Sequence, residues 1–270
     1  MRTIEIVTHC WAERDWRYAA ALNYQLASLL HHKPKICDVF VSVYFHTDDD
    51  RVRKVLELFE EFDKLNIFWK EVDSLEYLGR RSIGRNHAAK TTKADLVWFA
   101  DADYYFGEGA LDYVADISWL SGTDSLLYPR TVWICKTHEI GDGFLGLVKQ
   151  PTLDVPKFVL NQFTPPVNFV KEKYTRAIGG AQIVEGDFAR NCGYLDGVNK
   201  WQTPCNPHKP FGNKGRGTHT PDDVAFRHFC NQYGFIKGVE IPNVFRIRHT
   251  EGLKDDTENQ AVVKKLVAEE

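Results

Sequence analysis

Gly84-Arg85-Asn86-His87-Ala88-Ala89-Lys90-Thr91-Thr92-Lys93-Ala94-Asp95-Leu96-Val97-Trp98-Phe99-Ala100-Asp101-Ala102-Asp103 changes period within one short span. Its small residues predict a helix over 84–93. Leu96 to Ala100 then read as a short buried strand, and two carboxylates one residue apart stand where the strand stops. Ligands of α/β sheets collect beyond the carboxyl ends of the strands, and hard divalent cations take oxygen donors. Asp101 and Asp103 are therefore candidate ligands for a cation that neutralises a diphosphate. Aspartates after a strand also serve as turn and capping residues, so the triplet alone leaves both readings open.

Working back from this span, strand and helix patterns alternate. Thr3 to Val7 reads as a strand, and Leu22, Leu26, Leu29 and Leu30 recur at helical spacing. Val39 to Phe45 reads as a buried strand. Val52, Val55, Leu56, Phe59 and Phe62 trace one face of a second helix, and Asn66 to Trp69 is a short strand. This order predicts an α/β fold with a mostly parallel central sheet and helices on both faces, joined by right-handed crossovers.

Downstream the rhythm loosens. Ser125 to Trp133 reads as one strand, and Pro151 to Pro166 as an ordered connection. Ile178 to Glu185 leads into a helix from Gly186. The Gly- and Pro-rich stretch from Thr203 to Pro221, with Lys209, Lys214 and Arg216, is expected to be a lid over a phosphorylated ligand. Asp222 and Asp223 open a helix through about Gln232, and Phe235 to Arg248 holds two short strands. No linker divides the chain, so residues 1–250 are expected to form one domain with halves 1–103 and 104–250. Residues 251–270 are expected to form a peripheral helix or tail.

Composition narrows the function. With 270 residues, 43% hydrophobic and 13% aromatic, the chain can bury a large core. A formal charge of −3 offers no field for nucleic acid, although Arg80, Arg81 and Arg85 form a local basic patch suited to a diphosphate. Six cysteines are scattered without a Cys-x-x-Cys pair, which argues for reduced thiols rather than a disulfide framework or zinc site. The amino terminus is strand-like, without a signal peptide, and no apolar run is long enough to span a bilayer. A cytoplasmic protein is expected.

The order of these landmarks resembles that of inverting family 2 glycosyltransferases with the GT-A fold. An Arg-Asn helix start at Arg85-Asn86 precedes Asp101-Ala102-Asp103, Gly179-Gly180-Ala181 follows, and then comes a helix-start acidic pair at Asp222-Asp223. The resemblance implies a sugar moved from a nucleotide diphosphate sugar to the hydroxyl of a glycan or other small acceptor, as a hexosyl- or pentosyltransferase. Thr8, His9, Trp11, Arg85, Asn86, Asp101 and Ala102 would face the nucleotide sugar. Asp103, His249 and Asp101 would hold Mn2+ or Mg2+. Asp223, with Asp222 beside it, would be the general base, because a weakly nucleophilic hydroxyl needs a carboxylate to take its proton. The same acidic pair also makes a good helix cap.

The chain departs from the family after the second strand. Tyr44-Phe45-His46-Thr47-Asp48 gives no clean match to the acidic residue that grips the base. Two other readings use the same features. A metal-dependent sugar-phosphate nucleotidyltransferase could use the sheet and carboxylates, but it needs a Gly-rich loop, and Thr8 to Arg14 has no glycine. A carbohydrate-binding module could use the seven tryptophans as sugar platforms, without a metal or a base.

Overall fold

The computed structural model describes residues 1–13, 15–61, 65–73, 78, 81–117, 124–155, 168–194 and 222–250. The expected lid at 203–221, the tail at 251–270 and most of the 151–166 connection lie outside these residues.

A seven-stranded sheet forms the centre. Its first half follows the sequence: β1 (Arg2–His9), α1 (Arg17–His31), β2 (Cys37–His46), α2 (Asp50–Glu60), β3 (Asn66–Val72), α3 (Arg81–Thr91) and β4 (Leu96–Ala100). β4, β1, β2 and β3 lie side by side, all parallel, with Ile4 opposite both Val39 and Leu96. Every residue of β4 is buried, as a strand covered on both faces requires. Truncating Trp98, which is fully buried, would cost about 3–5 kcal/mol.

α1 does more than cover the sheet. Gln25 donates from Nε2 to the carbonyls of Asp101 and Tyr104, each at 3.0 Å. Ser28 Oγ accepts from the Phe106 amide at 3.1 Å. The helix thus pins the turn that carries the two aspartates.

The second half contains β5 (Tyr104–Phe106), α4 (Ala110–Asp116), β6 (Asp124–Pro129), β7 (Thr131–Cys135), α5 (His138–Gly146), β8 (Phe169–Lys173), β9 (Ala181–Glu185), α6 (Gly186–Cys192), α7 (Asp222–Tyr233), β10 (Phe235–Val239) and β11 (Val244–Arg246). β9 enters the central sheet antiparallel between β4 and β6, and β10 closes the edge parallel to β6. The sheet is mostly parallel, as expected.

A second, four-stranded sheet in the order β5-β11-β7-β8 was not legible in the sequence. The expected single strand over Ser125 to Trp133 is corrected here. It breaks at Arg130 into β6 in the central sheet and β7 in the smaller one. Pro129 cannot donate to a ladder, while Arg130 turns its amide to Val239 O at 2.7 Å and its carbonyl to the Tyr174 amide at 2.8 Å. Tyr104 to Phe106, directly after the aspartates, is a buried strand whose Tyr105 ring stacks on Phe245 at 4.8 Å. No helix among the described residues is long and apolar enough to cross a membrane.

Candidate active site

Asp101 and Asp103 stand where β4 leaves the central sheet and β5 begins the smaller one, so each faces residues from distant segments. Asp101 Oδ1 accepts from Arg85 Nη2 at 3.0 Å and also pairs with Arg81. The two arginines lie four apart on α3 and share a helix face. Arg85 is 2% exposed, whereas the Arg81 side chain remains about half exposed at 47%. Burial pushes the Asp101 carboxyl up, but Arg81, Arg85 and Arg246 outweigh it and hold it well below the usual range. Asp101 is ionised at neutral pH.

Asp103 is held differently. Its backbone carbonyl accepts from the Ile247 amide at 2.8 Å, and its Oδ2 accepts from Arg246 Nε at 2.8 Å. Oδ1 is buried and has no partner among the described residues. A buried carboxylate oxygen without a donor is costly, and a cation would satisfy it.

His249 lies three residues past β11, whose Arg246 is paired with Tyr104 of β5. Its Nδ1 lies 3.0 Å from the Thr250 carbonyl, and a carbonyl only accepts, so the neutral ring keeps its proton on Nδ1 and offers the Nε2 lone pair. The loop around it is clamped. His138 Nδ1 meets the His249 carbonyl at 2.7 Å, and Asp142 accepts from the Thr250 amide and hydroxyl while also pairing with Arg17. A β-carbon on Gly141 would sit 1.6 Å from the Arg248 carbonyl oxygen, so only glycine lets α5 lie against this loop.

Asp103 Oδ1 and His249 Nε2 offer an oxygen and a nitrogen of the kinds that divalent cations take. Among the described residues no group of three or more His, Cys, Asp or Glu side chains is placed to hold a metal. A cation here would need further oxygens from a ligand, which suits a diphosphate.

Asp223 comes to the site from the start of α7. A β-carbon on Gly179 would lie 3.0 Å from Asp223 Oδ2, and one on Gly180 would lie 2.7 Å from Asp101 Oδ2. The two carboxylates therefore rest against neighbouring glycines. Arg81 feels both of them, Asp101 most strongly, and its guanidinium is held more firmly protonated for it. Asp222 opens the same helix, and its side chain lies outside the described residues.

On the other flank is the β1 end. Thr8 is buried with its hydroxyl unpartnered, and the His9 ring stacks on Tyr44 at 4.7 Å with both ring nitrogens buried and unpartnered. Burial, with help from Arg85 and Arg81, depresses the His9 pKa well below the ordinary value. Trp11 lies in the following loop, its indole N–H 3.4 Å from Glu13 Oε2. That loop is tied to Asp49, whose Oδ2 accepts from the Ala12 amide at 2.6 Å and the Glu13 amide at 3.1 Å. The acidic residue after the second strand thus shapes the loop.

Asn86 turns inward, its Oδ1 accepting from the Tyr194 amide at 3.0 Å, and Ala102 is buried. Sequence reasoning gave no individual role to Arg246, Gln182 or Tyr194. It took Arg81 only as part of a basic patch, although its four-residue spacing from Arg85 was the available signal. Arg246 carried none, because its partner lies 143 positions away.

No family model and no curated protein matches the sequence. Solved structures do. S. aureus TarS 1-349 in complex with UDP aligns with a TM-score of 0.50 at 15% identity, over 91% of this chain and 60% of that one. Complete S. aureus TarS gives 0.50 at 11% identity, over 99% of this chain and 42% of that one. The galactosyltransferase LgtC in complex with donor and acceptor sugar analogs gives 0.50 at 13% identity, over 98% of this chain and 95% of that one. The chain therefore spans about three fifths of TarS 1-349 and nearly all of LgtC. At such identities the likeness establishes architecture: this chain has the GT-A-like fold of glycosyltransferases.

Proposed function

We propose that this protein is a glycosyltransferase that moves a sugar from a nucleotide diphosphate sugar to an acceptor hydroxyl with inversion at the anomeric carbon. The observation that carries the reading is the convergence of Asp101 and Asp223 on the neighbouring glycines Gly180 and Gly179. A donor-side carboxylate with its arginines and an acceptor-side carboxylate at a helix start thereby lie against adjacent backbone positions. The UDP in the TarS complex and the donor and acceptor analogs in the LgtC complex support the same class of ligand. The order of motifs supports the family 2 and inverting assignments.

Asp223 takes the proton of the acceptor hydroxyl as that oxygen bonds to the anomeric carbon. The bond from that carbon to the diphosphate breaks on the opposite face, and its electron pair leaves with the diphosphate. Arg81, half exposed and shared by Asp101 and Asp223, is placed to meet the negative charge that develops. The β1 end, with Thr8, His9 and Trp11, receives the base and ribose. Asp101 orients the donor and is itself fixed by Arg85. Asp103 Oδ1 and His249 Nε2 would hold Mn2+ or Mg2+, Mn2+ being the better match to a nitrogen-containing donor set. That ion would supply Lewis-acid neutralisation of the leaving diphosphate.

A thermal-shift screen of nucleotide sugars with and without Mn2+ tests the donor, since a ligand that binds only the folded state raises Tm. Product configuration by NMR then tests inversion. A sugar-phosphate substrate that yields a nucleotide sugar would replace this reading with nucleotidyl transfer. Sugar binding without donor turnover would replace it with a binding module.

A further inference from the structure

Behind the two carboxylates runs a buried chain of hydrogen bonds that starts at Arg85 and donates outward to both ends. Arg85 Nη2 donates to Asp101 at 3.0 Å, and its Nη1 donates to the Tyr194 hydroxyl at 3.1 Å. Tyr194 donates onward to Gln182 Oε1 at 2.6 Å. The Gln182 amide closes the chain by donating from Nε2 to the Asp223 carbonyl at 3.1 Å. Arg85, Tyr194 and Gln182 are each 2% exposed or less, so no solvent competes for these bonds.

Every group has the polarity that its place demands. A guanidinium only donates, a phenol accepts one bond while giving its single proton, and a carboxamide accepts at one end and donates at the other. Tyr194 also touches α7 through its ring. It stacks on Phe226, three residues after Asp223, at 4.1 Å, while Arg85 lies over its other part at 5.4 Å. One side chain thus links α3, β9 and α7.

We infer that Tyr194 and Gln182 are positioning residues that couple occupation of the donor side at Asp101 to the placement of the Asp223 helix start. The inference rests on the reading of Asp101 as donor-side and Asp223 as acceptor-side. A ligand that draws Arg81 or Asp101 to itself changes how hard Arg85 is held. Arg85 passes that change through a chain whose last bond fixes the first turn of α7. The coupling keeps the base in register when a donor is present and leaves the helix start looser when it is not.

The test is amide hydrogen exchange of residues 224–227, with UDP, GDP, CDP and dTDP plus Mn2+ as probes and calorimetry to verify binding. The nucleoside diphosphate that binds wild-type protein is expected to slow exchange there at least about fivefold, the lower end of ordinary coupling between sites. Tyr194→Phe keeps the ring stack, and Gln182→Met keeps the volume. Both variants are expected to bind the same nucleotide and to lose the slowing, and the double variant is expected to look like either single one. Phe226→Leu alters the stack but not the hydrogen bonds, so it should lower Tm and keep the slowing. Nucleotide binding without slowed exchange in the wild type, or slowing retained in both relay variants, overturns the coupling and leaves the glycosyltransferase reading standing. Failure of all four probes to bind overturns that reading and the coupling with it.

Discussion

The two halves of the central sheet were assembled in different ways. In residues 2–100 the four strands lie together in the order β4-β1-β2-β3, all parallel, and the helices between them cover the faces. From residue 104 onward the chain passes between two sheets, and strands as far apart as β5 and β11, with Tyr104 opposite Arg246, become neighbours. The first half is a platform whose geometry follows from local pattern. The second half brings groups to that platform from afar, which is how Arg246 and Gly180 reach the aspartates at the end of β4. Chemistry gathers at the seam, where Asp101 is held by Arg81 and Arg85 of the platform and Asp103 by Arg246 of the inserted half.

The largest expected effect tests whether that seam holds a cation. Asp103→Asn keeps the shape but removes the charge beside Arg246. Turnover should fall by several orders of magnitude while the fold persists, with excess chelator producing the same loss in the wild type. Full turnover in chelator would leave the donor to the arginines alone. The counterpart from the acceptor side is milder. Asp223→Asn should lower kcat by roughly a hundredfold with nucleotide and Mn2+ affinities unchanged, since only the proton acceptor is lost. His249→Ala should weaken Mn2+ and nucleotide together, and equal responses of the two variants would erase the distinction between the sides.

Two helical glycines sharpen the comparison through stability. Alanine gains the same helix propensity at either, about 1 kcal/mol over glycine, so the surroundings decide. At Gly141, in the inserted half, the new methyl meets the Arg248 backbone carbonyl at 1.6 Å, and backbone on both sides cannot yield. Gly141→Ala should cost at least about 1–3 kcal/mol net, read as a drop in Tm, and should disturb His249. At Gly84, on the platform, the new methyl meets side chains rather than backbone, the stacked His9 ring at 2.2 Å and the Tyr44 ring at 3.0 Å, which must shift together. Gly84→Ala should lower Tm less than Gly141→Ala and should change nucleotide binding at the β1 end.

The smallest effect concerns pH. His9 is folded with its pKa well below the ordinary value of about 6.5, because burial and then Arg85 and Arg81 disfavour its charged form. The unfolded chain therefore binds the extra proton first. The stability that neutral His9 contributes is complete above about pH 6.5 and is lost as pH falls below it. Unfolding free energies from denaturant titrations at pH 7 to pH 5 should fall less steeply in His9→Asn than in the wild type, by up to about 2 kcal/mol over the range. An identical slope would show that the ring is solvated, in contrast to the packed platform described here.

Much of the platform was legible in advance. Val52, Val55, Leu56 and Phe59 do form the buried face of α2, and Leu96 to Ala100 is the buried strand that the run of large apolar residues predicted. The boundaries of α3 moved toward the amino terminus, to Arg81–Thr91, which put Arg81 on the same helix as Arg85. The reading of 125–133 as one strand failed because apolar residues continue through Arg130, and nothing local says that the two ends enter different sheets.

The sequence by itself determined the alternation of strand and helix, the parallel order of the first four strands, the two aspartates at a strand end and the acidic start of α7. Each is set by a periodicity or a cap that acts over a few residues, and such signals survive without knowledge of the rest of the chain. Only the tertiary structure decided that Arg246 neutralises one oxygen of Asp103 and leaves the other without a partner among the described residues, and that Asp101 and Asp223 rest against adjacent glycines. It alone also decided that Tyr194 and Gln182 join their supports. An arginine, a tyrosine or a glutamine can satisfy its hydrogen bonds with many partners. Which partner it meets depends on how strands far apart in the chain are brought together, and no local pattern records that.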